Sequence, residues 1–269
     1  MIKVIIQRLL KMKKVITHKK FLFTALVTAI FVYGLFSSTG NYKLGDLFFG
    51  RIAKIYNVNI AQFFFTEAAY PIIGKASPYS HYQLSRTYFI QGNLRTALYE
   101  VNLEIESYPE HAEAYYIRGL TLGYMNREHE AIDDFSKVIE MHPTLWAARN
   151  DKAWLQFRIG DIDGALTTIE PIVGTYSGTP WVANTYGVML LNKGRYTEAV
   201  TSFEKGLATI NKMTISDWGR AYPGNNPDIY EEGLEQTKDS MAKNLQLAKE
   251  KLMKLKKQET DTRTLYTAP

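Results

Sequence analysis

The stretch Ala112–Pro143, AEAYYIRGLTLGYMNREHEAIDDFSKVIEMHP, decides how the rest of the chain is read. Two helix-length segments, 112–125 and 128–141, flank a turn at Asn126. Gly119 and Ala131 fall in mid-segment, one in each. Small residues there let two antiparallel helices approach to the ridges-into-grooves distance. Phe135 then fills the gap against a neighbouring pair. One such pair cannot bury its apolar face alone, so pairs must stack.

Working outward, the same pattern recurs with a step of 34 and no insertion. The small residue recurs as Ser85, Gly119, Ala153 and Gly187, and the alanine as Ala97, Ala131, Ala165 and Ala199. Turn-forming residues recur as Gly92, Asn126, Gly160 and Gly194. Apolar residues follow the alanines at Val101, Phe135, Ile169 and Phe203, and Pro109 and Pro143 close the first two copies. A fixed period of this length predicts an all-α solenoid of four helix pairs over 78–213.

The set Tyr115, Gly119, Leu122, Ala131, Phe135, Pro143 resembles the signature of the tetratricopeptide repeat (TPR) family. So does Tyr186, Gly187, Leu190, Gly194, Tyr196, Ala199, Phe203. The resemblance covers about half the chain. Three departures bear on copies one, three and four. Glu104 stands where an apolar or small residue is usual, Pro171 falls inside a helix, and Ser177 and Asn211 replace closing prolines.

The resemblance implies a concave groove lined by the first helix of each pair. It selects Tyr82, Arg86 and Phe89, flanked by Tyr79, in the first copy, and Tyr116, Leu120 and Gly123 in the second. In the third it selects Asn150, Trp154 and Phe157; in the fourth Asn184, Val188 and Leu191, flanked by Trp181. Steps of four and three place each set on one helical face. Packing between repeats is the competing use of these aromatics. Asn150 and Asn184 are 34 apart and would stack as a short ladder. An Asn amide offers a peptide backbone both a donor and an acceptor. Arg86 is the one fixed cation on the stripe, so the groove does not resemble a cationic clamp for a C-terminal carboxylate.

The net charge is +5. Residues 1–20 hold seven of the 32 Lys and Arg and no acid, which leaves the remainder with 25 basic against 27 acidic residues. Nucleic-acid binding would need basic residues clustered on the folded part, so no nucleic-acid partner is expected. There is no cysteine, which excludes disulfides and thiolate metal sites.

After this basic tail, Phe21–Phe36 is an uncharged run, FLFTALVTAIFVYGLF. Extended through Gly40 it reaches about 30 Å as a helix, enough for a bilayer core. The reading is a transmembrane signal-anchor over 21–40, with residues 1–20 cytoplasmic and the repeats extracytoplasmic. A cleaved signal peptide is the alternative. Met12 is a second candidate start.

Residues 41–77 read as a degenerate capping helix pair, with Ala61, Phe65 and Ala68 spaced like Ala131, Phe135 and Val138. A segment lying on the bilayer surface is the alternative. Residues 214–227 read as a loop, 228–257 as a long helix, and 258–269 as a disordered tail. The long helix either caps the last repeat or self-associates, since Leu234, Met241, Ala248 and Leu255 step by seven.

No catalytic or metal-binding constellation emerges, and no cofactor is implied. The five histidines do not fall at ligand spacing, and no phosphate-cradling Gly-Lys-Ser/Thr run occurs. The expected role is a membrane-anchored scaffold or assembly factor that binds a protein or peptide in the groove. The alternative is a homo-oligomeric structural component.

Overall fold

The computed structural model describes residues 37–49, 57–71, 74–221 and 230–267. The basic tail and the apolar run Phe21–Phe36 lie outside the described residues. Among the described residues every element is an α-helix, and no helix is long and apolar enough to cross a membrane. The chain divides into two compact units between Thr87 and Tyr88. The boundary therefore falls inside the first helix of the first copy, not at Pro78.

In the first unit, α1 (Ser38–Phe48) and α2 (Val58–Ala69) form a hairpin. Both helices begin on caps that satisfy free N–H groups of the first turn. Ser37 Oγ accepts from the Gly40 N–H at 3.0 Å, and Asn57 Oδ1 accepts from the Ile60 N–H at 3.0 Å. Ser37 itself is extended (φ −93°, ψ 140°), so Ser38–Gly40 open α1 and do not continue a helix from the apolar run. The pair expected over 41–77 thus begins three residues earlier, at Ser38, because the caps and not the apolar pattern set its starts. Its core is the expected one: Ala61, Phe65 and Ala68 are fully buried. A Cβ on Gly45 would stand 2.5 Å from the Phe65 ring, so only glycine lets the helices meet there. The N-terminal part of α3 (Ser80–Ile90) joins this unit, with Gln83 Nε2 donating to Tyr42 Oη at 3.1 Å.

The second unit runs from α4 (Leu94–Ser107) through α5 (Ala112–Tyr124), α6 (Glu128–Met141), α7 (Trp146–Arg158), α8 (Ile162–Tyr176), α9 (Pro180–Asn192) and α10 (Tyr196–Ile210). Consecutive helices pack on one another throughout. The four turn residues Gly92, Asn126, Gly160 and Gly194 all have positive φ, from 56° to 87°. Left-handed backbone is open to glycine and tolerated by asparagine, which explains the residue types at that period. Inside the hairpins, a Cβ on Gly119 would lie 2.9 Å from the Phe135 ring, and one on Gly187 2.6 Å from that of Phe203. The third copy uses Ala153 with the smaller Ile169, both fully buried.

Pro171 does not end α8, which continues to Tyr176 and then hands over to α9 with Pro180 in its first turn. Glu104 is completely buried, and His111 Nδ1 reaches its Oε1 at 2.8 Å across the turn between α4 and α5. The carboxyl at that unusual position is therefore hydrogen-bonded.

The expected loop 214–227 contains a short helix, α11 (Ile215–Ala221). Thr214 Oγ1 accepts from the Asp217 N–H, and Asp217 Oδ2 accepts from the Thr214 N–H, both at 3.1 Å. This reciprocal capping explains why the segment coils. The C-terminal helix α12 (Tyr230–Thr267) runs ten residues past Lys257. Residues 258–267 contain no glycine or proline to stop it, so the expected tail is helical. Leu234, Met241 and Ala248 are buried, and α12 packs mainly against α10. Three of the four heptad residues are thus spent on the chain's own repeats, which leaves only half-exposed Leu255 of that seam for self-association. The helix covers a face of α10.

Candidate functional site

The second unit carries an open cavity of about 360 Å³ between α5 and α7, the first helices of copies two and three. Leu120, Gly123 and Tyr124 line it from α5; Asp151, Trp154 and Arg158 line it from α7. Gly123 leaves floor space, since an added Cβ would meet only the Leu155 methyls, at 3.6 Å. Tyr124 is 70% exposed and Trp154 38%, large values for aromatic side chains in a packed solenoid.

The polar rim is held in place. Asp151 Oδ2 accepts from Tyr116 Oη at 2.7 Å, and Asp151 Oδ1 accepts from Asn150 Nδ2 at 3.2 Å. Arg158 Nη2 donates to Glu128 Oε1 at 2.9 Å and to Asn126 Oδ1 at 3.1 Å. The left-handed turn at Asn126 thus also positions a side chain on the rim. The cavity presents apolar and aromatic faces between a carboxylate and a guanidinium, a mixture suited to a peptide segment.

The expected groove residues divide between the units. In the first unit, the Arg86 guanidinium lies over the rings of Phe49 and Tyr82, at 4.6 and 5.6 Å, and donates to Gln83 Oε1. In the second unit, Phe89 meets the Tyr124 ring edge-on at 5.5 Å. Leu120 and Trp154 face the cavity, whereas Tyr116 is buried and meets it only through its hydroxyl on Asp151. Trp181 stacks on Trp218 at 4.5 Å, so one ring face is taken by α11. Val188 packs half-buried on the core of the last two copies.

The two asparagines differ from a simple exposed ladder. Asn150 is only 4% exposed, and its amide nitrogen is committed to Asp151. Its Oδ1 and that of Asn184 are both buried and unpartnered. Leaving a buried acceptor unmet costs about 1–3 kcal/mol. Asn150 therefore has one N–H on Asp151 and, at 4% exposure, does not present the open donor–acceptor pair that a ladder needs. Tyr124 and Arg158 were not among the expected site residues. Continuing the step of four from Leu120 and from Trp154 reaches both.

On the opposite side of the same copy, Arg118 grips Asp134 with two hydrogen bonds, Nε–Oδ2 at 2.8 Å and Nη2–Oδ1 at 2.7 Å, and donates to Asn102. Burial pushes the Asp134 carboxyl above the ordinary carboxylate range, and the hydrogen bonds from Arg118 offset only part of that rise. The Arg118 guanidinium is raised, first by its hydrogen bonds to Asp134. Both groups are thus raised, the carboxyl because it is the more deeply enclosed partner and its burial outweighs the guanidinium. This cluster ties α4, α5 and α6 together. Among the described residues, no group of three His, Asp or Glu side chains is placed to hold a metal ion.

Residues 112–144 match the family model described as tetratricopeptide repeat. Among solved structures, TTC0263, a thermophilic TPR protein of Thermus thermophilus, is similar at 18% identity. The match has a TM-score of 0.51 and covers 65% of this chain and 92% of that one. MamA MSR-1 is similar at 16% identity with a TM-score of 0.52, covering 67% and 97%. MamA AMB-1 is likewise 16% identical, with a TM-score of 0.52, covering 66% and 94%. At these identities the likeness is one of fold. No curated protein sequence matches the chain.

Proposed function

We propose that this chain, whose residues 112–144 match the tetratricopeptide-repeat model, is a scaffold that holds a partner's peptide segment in the cavity between α5 and α7. The observation that carries the reading is the exposure of Tyr124 and Trp154 across a shared cavity whose rim groups are already oriented. Exposed aromatics flanking a concave site supply binding area at low entropic cost. Leu120 supplies the apolar floor, and Asp151 and Arg158 fix register. Asn150 and Tyr116 act through Asp151, as positioning residues. Phe89, Trp181, Asn184 and Val188 remain candidate contacts for a longer segment, and Tyr82 and Arg86 are candidate contacts of the first unit by itself.

A photo-crosslinking amino acid at position 124 or 154 tests this. Adducts with one defined peptide segment are expected at both positions and not at Tyr99, which is also exposed but lies on α4. Equal labelling at all three would remove the cavity from consideration.

The wider reading is that the scaffold is tethered to a membrane by Phe21–Phe36, with the repeats outside the cytoplasm. Its support is the uncharged run that follows seven cations. Protease added to intact spheroplasts should digest the repeats; protection until lysis contradicts that orientation. Release of a shortened protein without detergent would favour a cleaved signal peptide.

A further inference from the structure

We propose that the outer face of α2 lies on the surface of a phospholipid bilayer, with Ile60 and Phe63 entering its interfacial layer. The inference rests on the reading of Phe21–Phe36 as a membrane anchor. Helix α2, VNIAQFFFTEAA, is apolar on two sides. Its inner face, Ala61, Phe65 and Ala68, is fully buried. Its outer face leaves Phe63 59% and Ile60 39% exposed, one turn apart. Phe64, stacked on Phe48 at 5.8 Å, widens the apolar strip. Glu67 is the only charge in the helix.

The repeats show what a solvent-facing version of this helix contains. Ala61, Phe65 and Ala68 correspond to Ala131, Phe135 and Val138 of α6. In that register Ile60 takes the place of Glu130, and Phe63 takes the place of Asp133. Both acids are exposed. The same hairpin core therefore carries charge outside in copy two and large apolar groups outside in α2. An apolar helical face without a protein cover belongs in an apolar medium.

Two further facts favour lipid over a protein partner. The uncharged run ends at Phe36, directly before the residue that caps α1. Ser37 is extended there, so the chain can change direction at the membrane surface and lay the α1–α2 hairpin along it. The Asn57 N–H donates to the Phe48 carbonyl at 2.7 Å, which fixes the start of α2 to the end of α1 and moves the two as one body. Phenylalanine and isoleucine suit the depth of an interfacial helix, and exposed Lys43 on α1 suits the headgroup layer.

The chain has no cysteine, so single-cysteine nitroxide labels can be introduced without other changes. The full chain would be reconstituted in vesicles of phosphatidylcholine and phosphatidylglycerol and labelled in turn at Phe63→Cys, Ile60→Cys, Leu26→Cys and Tyr99→Cys. Collision with oxygen, which concentrates in lipid, would be compared with collision with a water-soluble nickel chelate. The expected result is an oxygen-to-chelate ratio several-fold higher at 63 and 60 than at 99, and higher still at 26. A lipid signal at 26 with aqueous signals at 63 and 60 overturns this inference and leaves the anchor standing. An aqueous signal at 26 overturns the anchor, and a lipid signal at 63 would then support surface binding without it. Protection of 63 from both reagents indicates a protein cover and also overturns the proposal. Ile60→Cys provides the second reading should Phe63→Cys disturb the hairpin.

Discussion

The α1–α2 and α5–α6 hairpins are closed by the same contact and differ in what they turn outward. In each, a glycine on the first helix lies against a buried phenylalanine on the second: Gly45 with Phe65, Gly119 with Phe135. In each, that phenylalanine sits in a ladder of small or β-branched residues that are fully buried. Outside, α6 exposes His129, Glu130, Asp133, Lys137 and Glu140, whereas α2 exposes Asn59, Ile60 and Phe63. The interior pattern sets the hairpin, and the exterior pattern is free to differ between the two. The two can vary independently because each uses its own helical face.

The largest expected effect tests the shared interior. Phe135→Ala should destabilise the second unit by about 3–5 kcal/mol, and Phe65→Ala should cost the first unit a similar amount. Both are read from denaturant midpoints, each followed by a probe placed in its own unit. A small effect at Phe65 alone would break the equivalence of the hairpins.

Next in size is the glycine contact. Gly119→Ala and Gly45→Ala each place a methyl group against a ring that packing holds still. Overpacking costs about 1–3 kcal/mol, against roughly 1 kcal/mol gained in helix propensity. Net destabilisation is expected at both positions. It should be greater at Gly45, where the clash distance is 2.5 Å rather than 2.9 Å. Stabilisation at either site would show that the ring moves aside.

Exchanging the exteriors should do little to the fold. Phe63→Asp, which copies the residue of copy two, should change stability in solution by no more than about 0.5 kcal/mol. A larger loss, measured by thermal melts, would mean that Phe63 packs within the protein.

The smallest effect concerns the charged exterior alone. Hydrogen bonds from Arg127 hold the Glu130 carboxyl below the ordinary carboxylate range. A depressed folded-state value means that the contact favours the folded state above the ordinary carboxylate pKa. That contribution is lost as pH falls through the folded value. A carboxyl-carbon NMR titration should place the Glu130 midpoint below that of a model glutamate; a midpoint above it would contradict the pairing. Both groups are solvent-exposed, so the effect on stability is slight.

The sequence carried the repeat register well because one period governs both core and turns. The small residues, the alanines and the left-handed turn positions all stand where a step of 34 puts them. What it carried less well depends on partners outside that period. Glu104 breaks the pattern as a letter, yet His111 answers it seven residues on across a turn. The helix expected to end at 257 runs to Thr267, since no glycine or proline stands between to stop it. The capping pair Thr214–Asp217 was hidden among turn-forming residues.

Of the residues that line the proposed site, the resemblance to the repeat family selected Leu120 and Trp154, and a further helical step of four reaches Tyr124 and Arg158. Burial of Asn150 and the loss of one Trp181 face to Trp218 depend on side-chain packing that spacing does not encode.

The central claim is that partner binding runs through the aromatic cavity between α5 and α7. Its most direct test is the affinity of the crosslinked peptide segment for the wild-type chain, Trp154→Ala and Tyr99→Ala, measured by titration calorimetry. Loss of a central aromatic contact should cost about 2 kcal/mol or more, roughly a thirtyfold weaker Kd, with melting unchanged because Trp154 is partly exposed. Tyr99→Ala should bind like wild type. Wild-type affinity in a folded Trp154→Ala chain would contradict the account.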